Sequence, residues 1–445
     1  MKAILRNRHC RGRCDAERLR RLPVTTSAIG PEPRPTMDGS RRGAGAAMRS
    51  FHFGRYALAA GLAIAMFAGC SAPQLRTVPF GVTSNARPDW AHRALAPNGV
   101  VEFVYVANND SENVSAYSIN KTGALTQVKG SPFDAEVGPA IVAVDPAGKF
   151  AYVTNSGSAS VSAYSIDAST GALTQVKGSP FAAGTGSYGI AVDPTGKFAY
   201  VGNSDSSSVS AYTIDASSGA LTTVKGSPFA AGGGPASVAA DPAGKFVYVV
   251  NNGSNNVSAY SINATSGALT QVKGSPFSSD SEPFGIAIDP KGKFAYVVNS
   301  SSNDVSAYSI NAATGALTPV KGSPFRAGKQ PFLVAMDPTG KFLYVPNVNS
   351  NDVSGYSISP TSGALTQVNG SPFSAGKDAA PLGMAVDPAG KFGYTTDIGT
   401  FSVAAYSMNA NGALKAKGSP VGAGSHPIGI ATCGVQAGKC IPPPL

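Results

Sequence analysis

The sequence predicts an all-β chain closed into a seven-bladed β-propeller of four-stranded blades, on three observations. The tripeptide Ser-Pro-Phe ends at Phe133, Phe181, Phe229, Phe277, Phe325 and Phe373, each 48 residues after the last, and Val421 takes the seventh place. Each unit holds four short β-rich runs, as in GIAVDP, KFAYVGN, VSAYTID and LTTVKGSPF between Gly189 and Phe229. The ends of the pattern are complementary: the first unit begins at Glu102-Phe103-Val104 without an IAVDP-like strand, and the last stops after Pro427-Ile428-Gly429-Ile430-Ala431-Thr432. One C-terminal strand therefore completes a blade with three N-terminal strands, which removes the open ends a linear stack would have to cap.

Composition agrees with this class. The 445 residues include 52 Gly and 33 Pro, only 13% are charged, and no long helical period occurs. Between strands stand turn signals: Asp-Pro-x-Gly, an Asn/Ser/Gly stretch, and Asp-x-Ser-Ser-Gly.

Upstream of the repeats, residues 1–47 are Arg-rich without a core pattern and read as an over-long start or a disordered leader. Residues 48–70 read as a signal peptide: Arg49 and Arg55, an apolar run from Tyr56 to Gly69, then small residues before Cys70. As a helix that run reaches about 21 Å, short of a hydrocarbon core of about 30 Å, so it does not suit a stable span. Its end, Phe67-Ala68-Gly69-Cys70, resembles a bacterial lipoprotein box, which implies cleavage and acylation at Cys70; cleavage by an ordinary signal peptidase is the alternative. Residues 71–100, with Pro73, Pro79, Pro88 and Pro97, read as a tether, residues 101–433 as the propeller, and 434–445 as a tail.

The net charge of +10 belongs to the leader, because residues 1–100 carry 16 Lys+Arg against 5 Asp+Glu, and residues 101–445 carry 19 against 20. Nucleic-acid binding through bulk charge is therefore disfavoured. Cys433 and Cys440 remain as one pair after Cys10 and Cys14 of the leader and Cys70 are set aside, and an oxidising compartment would let them close a disulfide.

Two motifs invite a functional reading and fail on context. Asp-Pro-Thr-Gly-Lys-Phe (193–198) carries the Gly-Lys of a phosphate loop, yet it recurs six times and leads into a strand rather than a helix. Asp193 is expected to accept turn N–H groups, with Pro194 and Gly196 shaping the turn. Gly184-x-Gly186-x-x-Gly189 matches a dinucleotide fingerprint by letter, but it leads into a strand as well.

The blade motifs, including Tyr152-Val153-Thr154-Asn155, resemble the β-propeller lactonase family, similar to bacterial 6-phosphogluconolactonase, and the related YVTN-repeat proteins, over about residues 101–433. The resemblance implies hydrolysis of a sugar lactone without a metal. It supplies no motif from which catalytic residues carry over.

Candidates come instead from subtraction, since a residue present in every blade serves the blade. Seven Tyr of the Phe-x-Tyr strand and seven of the Ala/Gly-Tyr-Ser/Thr strand are blade packing, which leaves Tyr188. The remaining departures fall in the crossovers from the outer strand of one blade to the inner strand of the next. His426, Glu282 and Arg326 are the catalytic candidates: His426, the only His beyond residue 100, or an acidic residue as base, with Arg326 holding developing negative charge. Glu136, Tyr188, Lys329, Gln330, Phe332, Lys377 and Asp378 are the ligand-binding candidates, with Asp280 and Phe284 beside them. No zinc spacing occurs and no cofactor is called for, because one His and one Cys pair make no three-ligand site.

The sequence points first to an exported, lipid-anchored monomer acting as a scaffold whose crossover face binds a small molecule, an envelope polymer or a protein; the alternative is a sugar-lactone hydrolase. Single-stranded nucleic-acid binding is a further alternative, and the near-neutral propeller speaks against it.

Overall fold

The computed structural model describes residues 102–436 and 439–441. The leader, the expected signal segment, Cys70 and the tether lie outside the described residues, as does the side chain of Cys440.

Seven antiparallel sheets repeat one plan. In the second blade Pro139–Val144 lies innermost, followed outward by Phe150–Asn155, Ser160–Ile166 and a broken outer strand. Leu173–Gln175 and Phe181–Ala182 both pair with the third strand. The sequence suggests one outer run; the structure breaks it at Ser179-Pro180, where proline has no N–H to offer the ladder. Ser179 Oγ accepts the N–H of Ala163 in its place, and Ser131, Ser227, Ser275, Ser323 and Ser371 do the same in their blades. In the last blade the outer strand, Leu414–Gly422, is continuous.

The ring closes as the termini predict. Glu102–Asn108 pairs with Pro427–Gln436, in register from Glu102↔Gly434 to Val106↔Ile430 and then across a bulge to Asn108↔Pro427. Side chains confirm the circle. The Tyr hydroxyls of 105, 152, 200, 248, 296 and 344 each donate to a Gly carbonyl of the next blade, and Tyr394 donates to Gly123 at 3.0 Å, joining last blade to first. Among the described residues, seven apolar clusters between Phe103 and Cys433 form the core of the ring.

The tail departs from expectation. Beyond the propeller boundary at 433, the strand continues to Gln436 and turns into Lys439–Ile441, which pairs with its free edge. Cys433 is buried and disulfide-bonded.

Turn chemistry fixes the ends of the blades. Asp193 Oδ1 accepts the N–H groups of Lys197 and Phe198 at 2.8 and 2.7 Å, and Gly196 takes φ +69°, so the Gly-Lys motif is a turn. These turns and those joining third to outer strands lie on one face. Crossovers and the loops joining second to third strands lie on the other.

Candidate functional site

Crossovers run inward, so the residue before each inner strand stands at the rim of the axial mouth. Seven positions are equivalent there, and all seven are left-handed: Gly138, Gly186 and Gly234 with φ of 72, 67 and 67°, then Glu282, Gln330, Ala380 and His426 with φ of 52, 54, 48 and 55°. A residue bearing Cβ pays roughly 1–3 kcal/mol for such a conformation, and strain of this kind clusters at ligand-handling sites. Three glycines therefore form one arc of the rim, and four strained side-chain-bearing residues form the other.

The preceding blade holds that second arc in place. Asn255, Asn303 and Asn351 accept through Oδ1 the backbone N–H groups of Glu282, Gln330 and Ala380, at 2.8, 2.6 and 2.8 Å. At the matching loop positions facing the glycines stand Glu112, Ala159 and Ser207. At His426 the arrangement changes: Phe401 stands where the clamping Asn would be, and His426 Nδ1 lies 3.5 Å from Asp110 Oδ2, while its carbonyl accepts the N–H of Asn109 at 3.0 Å as the other rim carbonyls accept theirs. That carboxylate favours the tautomer with the proton on Nδ1, leaving Nε2 basic. Nε2 is covered and makes no hydrogen bond within the protein.

Beneath the rim the floor is apolar. Ala140, Tyr188, Ala236, Phe284, Phe332, Leu382 and Ile428, one from each blade, are buried in a single cluster, and the rings of Phe284 and Phe332 lie 4.5 Å apart. Tyr188 and Phe332, expected as ligand contacts in crossover loops, are corrected by this placement. Tyr188 lies in the strand Ser187–Val192 and Phe332 one residue past the bridging Pro331, both below 4% exposed. Alternating residues of the inner strand point to the axis, which draws these rings into the core. Burial pushes the Tyr188 phenol well above its ordinary range, and its hydroxyl has no partner.

The other candidates scatter along the crossovers. Glu282 is exposed and Gln330 half-buried, both on the strained arc. Arg326 is exposed, but it pairs with Asp304 of the third strand, far out along the crossover from the mouth, so the structure does not bring it to His426. Glu136 is half-buried, and Lys329, Lys377 and Asp378 are exposed. Lys377 and Asp378 sit 3.9 Å apart in water, a pair of little energetic weight. They occupy the one crossover that is two residues longer than the rest, eight residues rather than six from Phe373 to Pro381.

One residue escaped the sequence reading. Six blades end their second strand in Asn (108, 155, 203, 251, 299, 347), whose Nδ2 donates to side chains of the third strand, as Asn155 does to Ser160 and Ser162. The seventh carries Asp397, with Ala404 where the other blades have Ser. Asp397 is 0% exposed, Thr395 donates to its Oδ1 at 2.9 Å, and Oδ2 has no partner. Burial pushes its carboxyl up to about 7, against the Thr395 hydrogen bond. Tyr406 is the one tyrosine of its class whose hydroxyl lacks the crossover carbonyl that Tyr117, Tyr164, Tyr212, Tyr260, Tyr308 and Tyr356 reach. The signal was legible as Tyr394-Thr395-Thr396-Asp397, a departure from Tyr-Val-x-Asn. Subtraction over the crossovers alone does not reach a departure that lies in a strand.

The model of the family described as Lactonase, 7-bladed beta-propeller matches residues 91–239, 141–333 and 275–380 in overlapping segments. The chain belongs to that family. Among solved structures, this lactonase-family propeller is similar to a Bacteroides fragilis protein assigned as a 6-phosphogluconolactonase (TM-score 0.66, 20% identity, covering 75% of this chain and 98% of that one). It is also similar to a periplasmic gluconolactonase of Pseudomonas aeruginosa (TM-score 0.64, 18% identity, covering 75% and 99%). At such identities the likeness establishes the fold. No curated protein matches the sequence.

Proposed function

We propose that the protein is an exported sugar-lactone hydrolase acting at the mouth of the propeller. The observation that carries the reading is the strained polar arc of Glu282, Gln330 and His426 above an apolar floor, in a chain of the lactonase family. Saccharide-sized ligands suit such a site, where a few fixed polar groups on the rim meet the hydroxyls and the buried apolar layer beneath holds the rim rigid. In the proposed reaction, Nε2 of His426 takes a proton from water as the water oxygen adds to the lactone carbonyl, and Asp110 steadies the imidazolium. The Gln330 amide donates to the oxyanion; the ring C–O bond then breaks, its oxygen is protonated, and a hydroxy acid leaves.

The export reading rests on the signal-like segment at 48–70 and is supported by the periplasmic neighbour. On this reading Cys70 carries lipid, residues 71–100 tether the propeller, and Cys440 closes the bridge to Cys433. A scaffold that holds a ligand without turning it over is favoured by one observation, the covered Nε2 of His426.

A panel of aldonolactones, with and without phosphate, assayed by acid release with residues 71–445, separates the two. Turnover that falls at least a hundredfold in His426→Ala and in Glu282→Gln or Gln330→Ala supports the hydrolase. Retention of a lactone or glycan without turnover establishes the scaffold.

A further inference from the structure

The near-neutral charge of the ring conceals a division between its two faces. Each Asp-Pro-x-Gly-Lys turn places an exposed lysine at an equivalent position, giving Lys149, Lys197, Lys245, Lys293, Lys341 and Lys391 around the axis on the face opposite the mouth, with Lys291 a second exposed lysine in one of these turns. The aspartates of the same turns are at most 5% exposed and face inward, their carboxylates bound by backbone N–H groups, as Asp241 Oδ1 is by Lys245 and Phe246 at 2.6 Å each. Among exposed charges the ammonium groups outnumber the carboxylates on that face, where Asp167 and Asp215 stand in turns joining third to outer strands. The mouth face carries more carboxylates than cations: Asp110, Glu112, Asp205, Asp280, Glu282 and Asp378 are half-buried or exposed there, against Lys329 and Lys377 in the crossovers.

The point at which the chain enters the ring lies on the lysine-bearing side. The first described strand begins at Glu102, paired with Gly434 and Ile119 at the ends remote from the mouth. Glu102 also feels the charges of Asp387 and Lys391, in the turn of the adjoining blade. Residues 1–101, with the apolar run Tyr56–Gly69 and Cys70, thus join the ring on the lysine-bearing face.

We infer that the six-lysine face docks on an anionic phospholipid surface, so that the mouth opens away from the bilayer. Basic residues within a Debye length of anionic headgroups attract them, and the carboxylates of the opposite face are repelled. Six ammonium groups spaced around one ring suit a planar surface better than a linear polyanion, which would meet two or three at a time. The inference uses the direction in which the chain leaves the ring and does not require acylation of Cys70.

The test uses residues 71–445 with Cys70 absent, a segment that keeps the whole core of the ring, and vesicles of phosphatidylcholine with or without 30% phosphatidylglycerol, read by co-sedimentation. Binding is expected on the anionic vesicles alone, falling at least tenfold between 50 and 300 mM salt. The variant with all six turn lysines replaced by Gln is expected to lose at least tenfold, and one with Lys129, Lys177, Lys225, Lys273 and Lys321 of the outer edge replaced by Gln to lose less than twofold. Circular dichroism and the melting temperature verify that both variants fold. Equal binding to neutral vesicles, no binding to anionic ones, or equal losses in the two variants overturns the inference. So does retention of a single-stranded oligonucleotide in place of vesicles. Since no lipidated protein and no lactone enter the assay, these results leave the acylation and hydrolase readings to their own tests.

Discussion

Replacing Asp397 by Asn should flatten part of the pH dependence of stability. The carboxyl titrates at about 7 in the folded ring, against an ordinary value of 3.8, because burial penalises its charged form. Between those values the unfolded chain is ionised while the folded one keeps its proton, so the folded state binds more protons and stability falls as pH rises. Its contribution is intact below about pH 4 and fully lost above about pH 7. A displacement of about three pH units corresponds to on the order of 4 kcal/mol, an upper bound for a group that can relax toward water once charged. The amide that Asp397→Asn introduces cannot ionise, still accepts from Thr395, and is placed to donate to Ser402, as Asn155 does to Ser160. Asp397→Asn should therefore match the parent near pH 4, draw ahead of it as pH rises, and melt a few degrees higher at pH 8, taking roughly 1–2 °C per kcal/mol for a ring of this size. Glu102, Asp145 and Asp387 are displaced in the same direction, to about 7, 7 and 6, chiefly by burial, so a slope remains in the variant. Calorimetric melting from pH 4.5 to 8.5 measures the difference. Parallel profiles for the two proteins, or a variant less stable at pH 8, would refute the reasoning.

Two further outcomes follow from the repeat. Tyr394→Phe removes the hydroxyl that binds Gly123 across the closure and should cost about 1 kcal/mol, whereas Tyr406→Phe removes an unpartnered buried hydroxyl and should be neutral or stabilising; chemical denaturation compares them. Gln330→Gly relieves a left-handed side-chain-bearing residue and should raise stability by about 1 kcal/mol while lowering lactone turnover, a trade read by melting and acid release together.

The sequence alone determined the ring. A 48-residue period, four runs per period and complementary ends leave few ways to bury each blade's two faces, and the tyrosines set aside as packing proved to be the inter-blade ties. It also disposed of the Gly-Lys decoy, because a turn between two strands offers no helix N-terminus.

Which departures from the repeat share a site was decided only in three dimensions. Tyr188 and Phe332 read as loop residues because they follow polar stretches, but the inner strand of one blade already starts at Ser187, and in the other Phe332 follows the bridging Pro331 ahead of the short strand Ala335–Met336; both rings are buried in the axial cluster. Arg326 and His426 read as members of one class of loop, yet they belong to different crossovers, Arg326 at the outer start of one, paired with the third strand at Asp304, and His426 at the inner end of another. The left-handed rim, the Asn clamps behind it and the unpaired carboxyl of Asp397 arise from contacts between blades. A local repeat specifies each blade separately; what the blades enclose depends on where the closed circle sets them against one another.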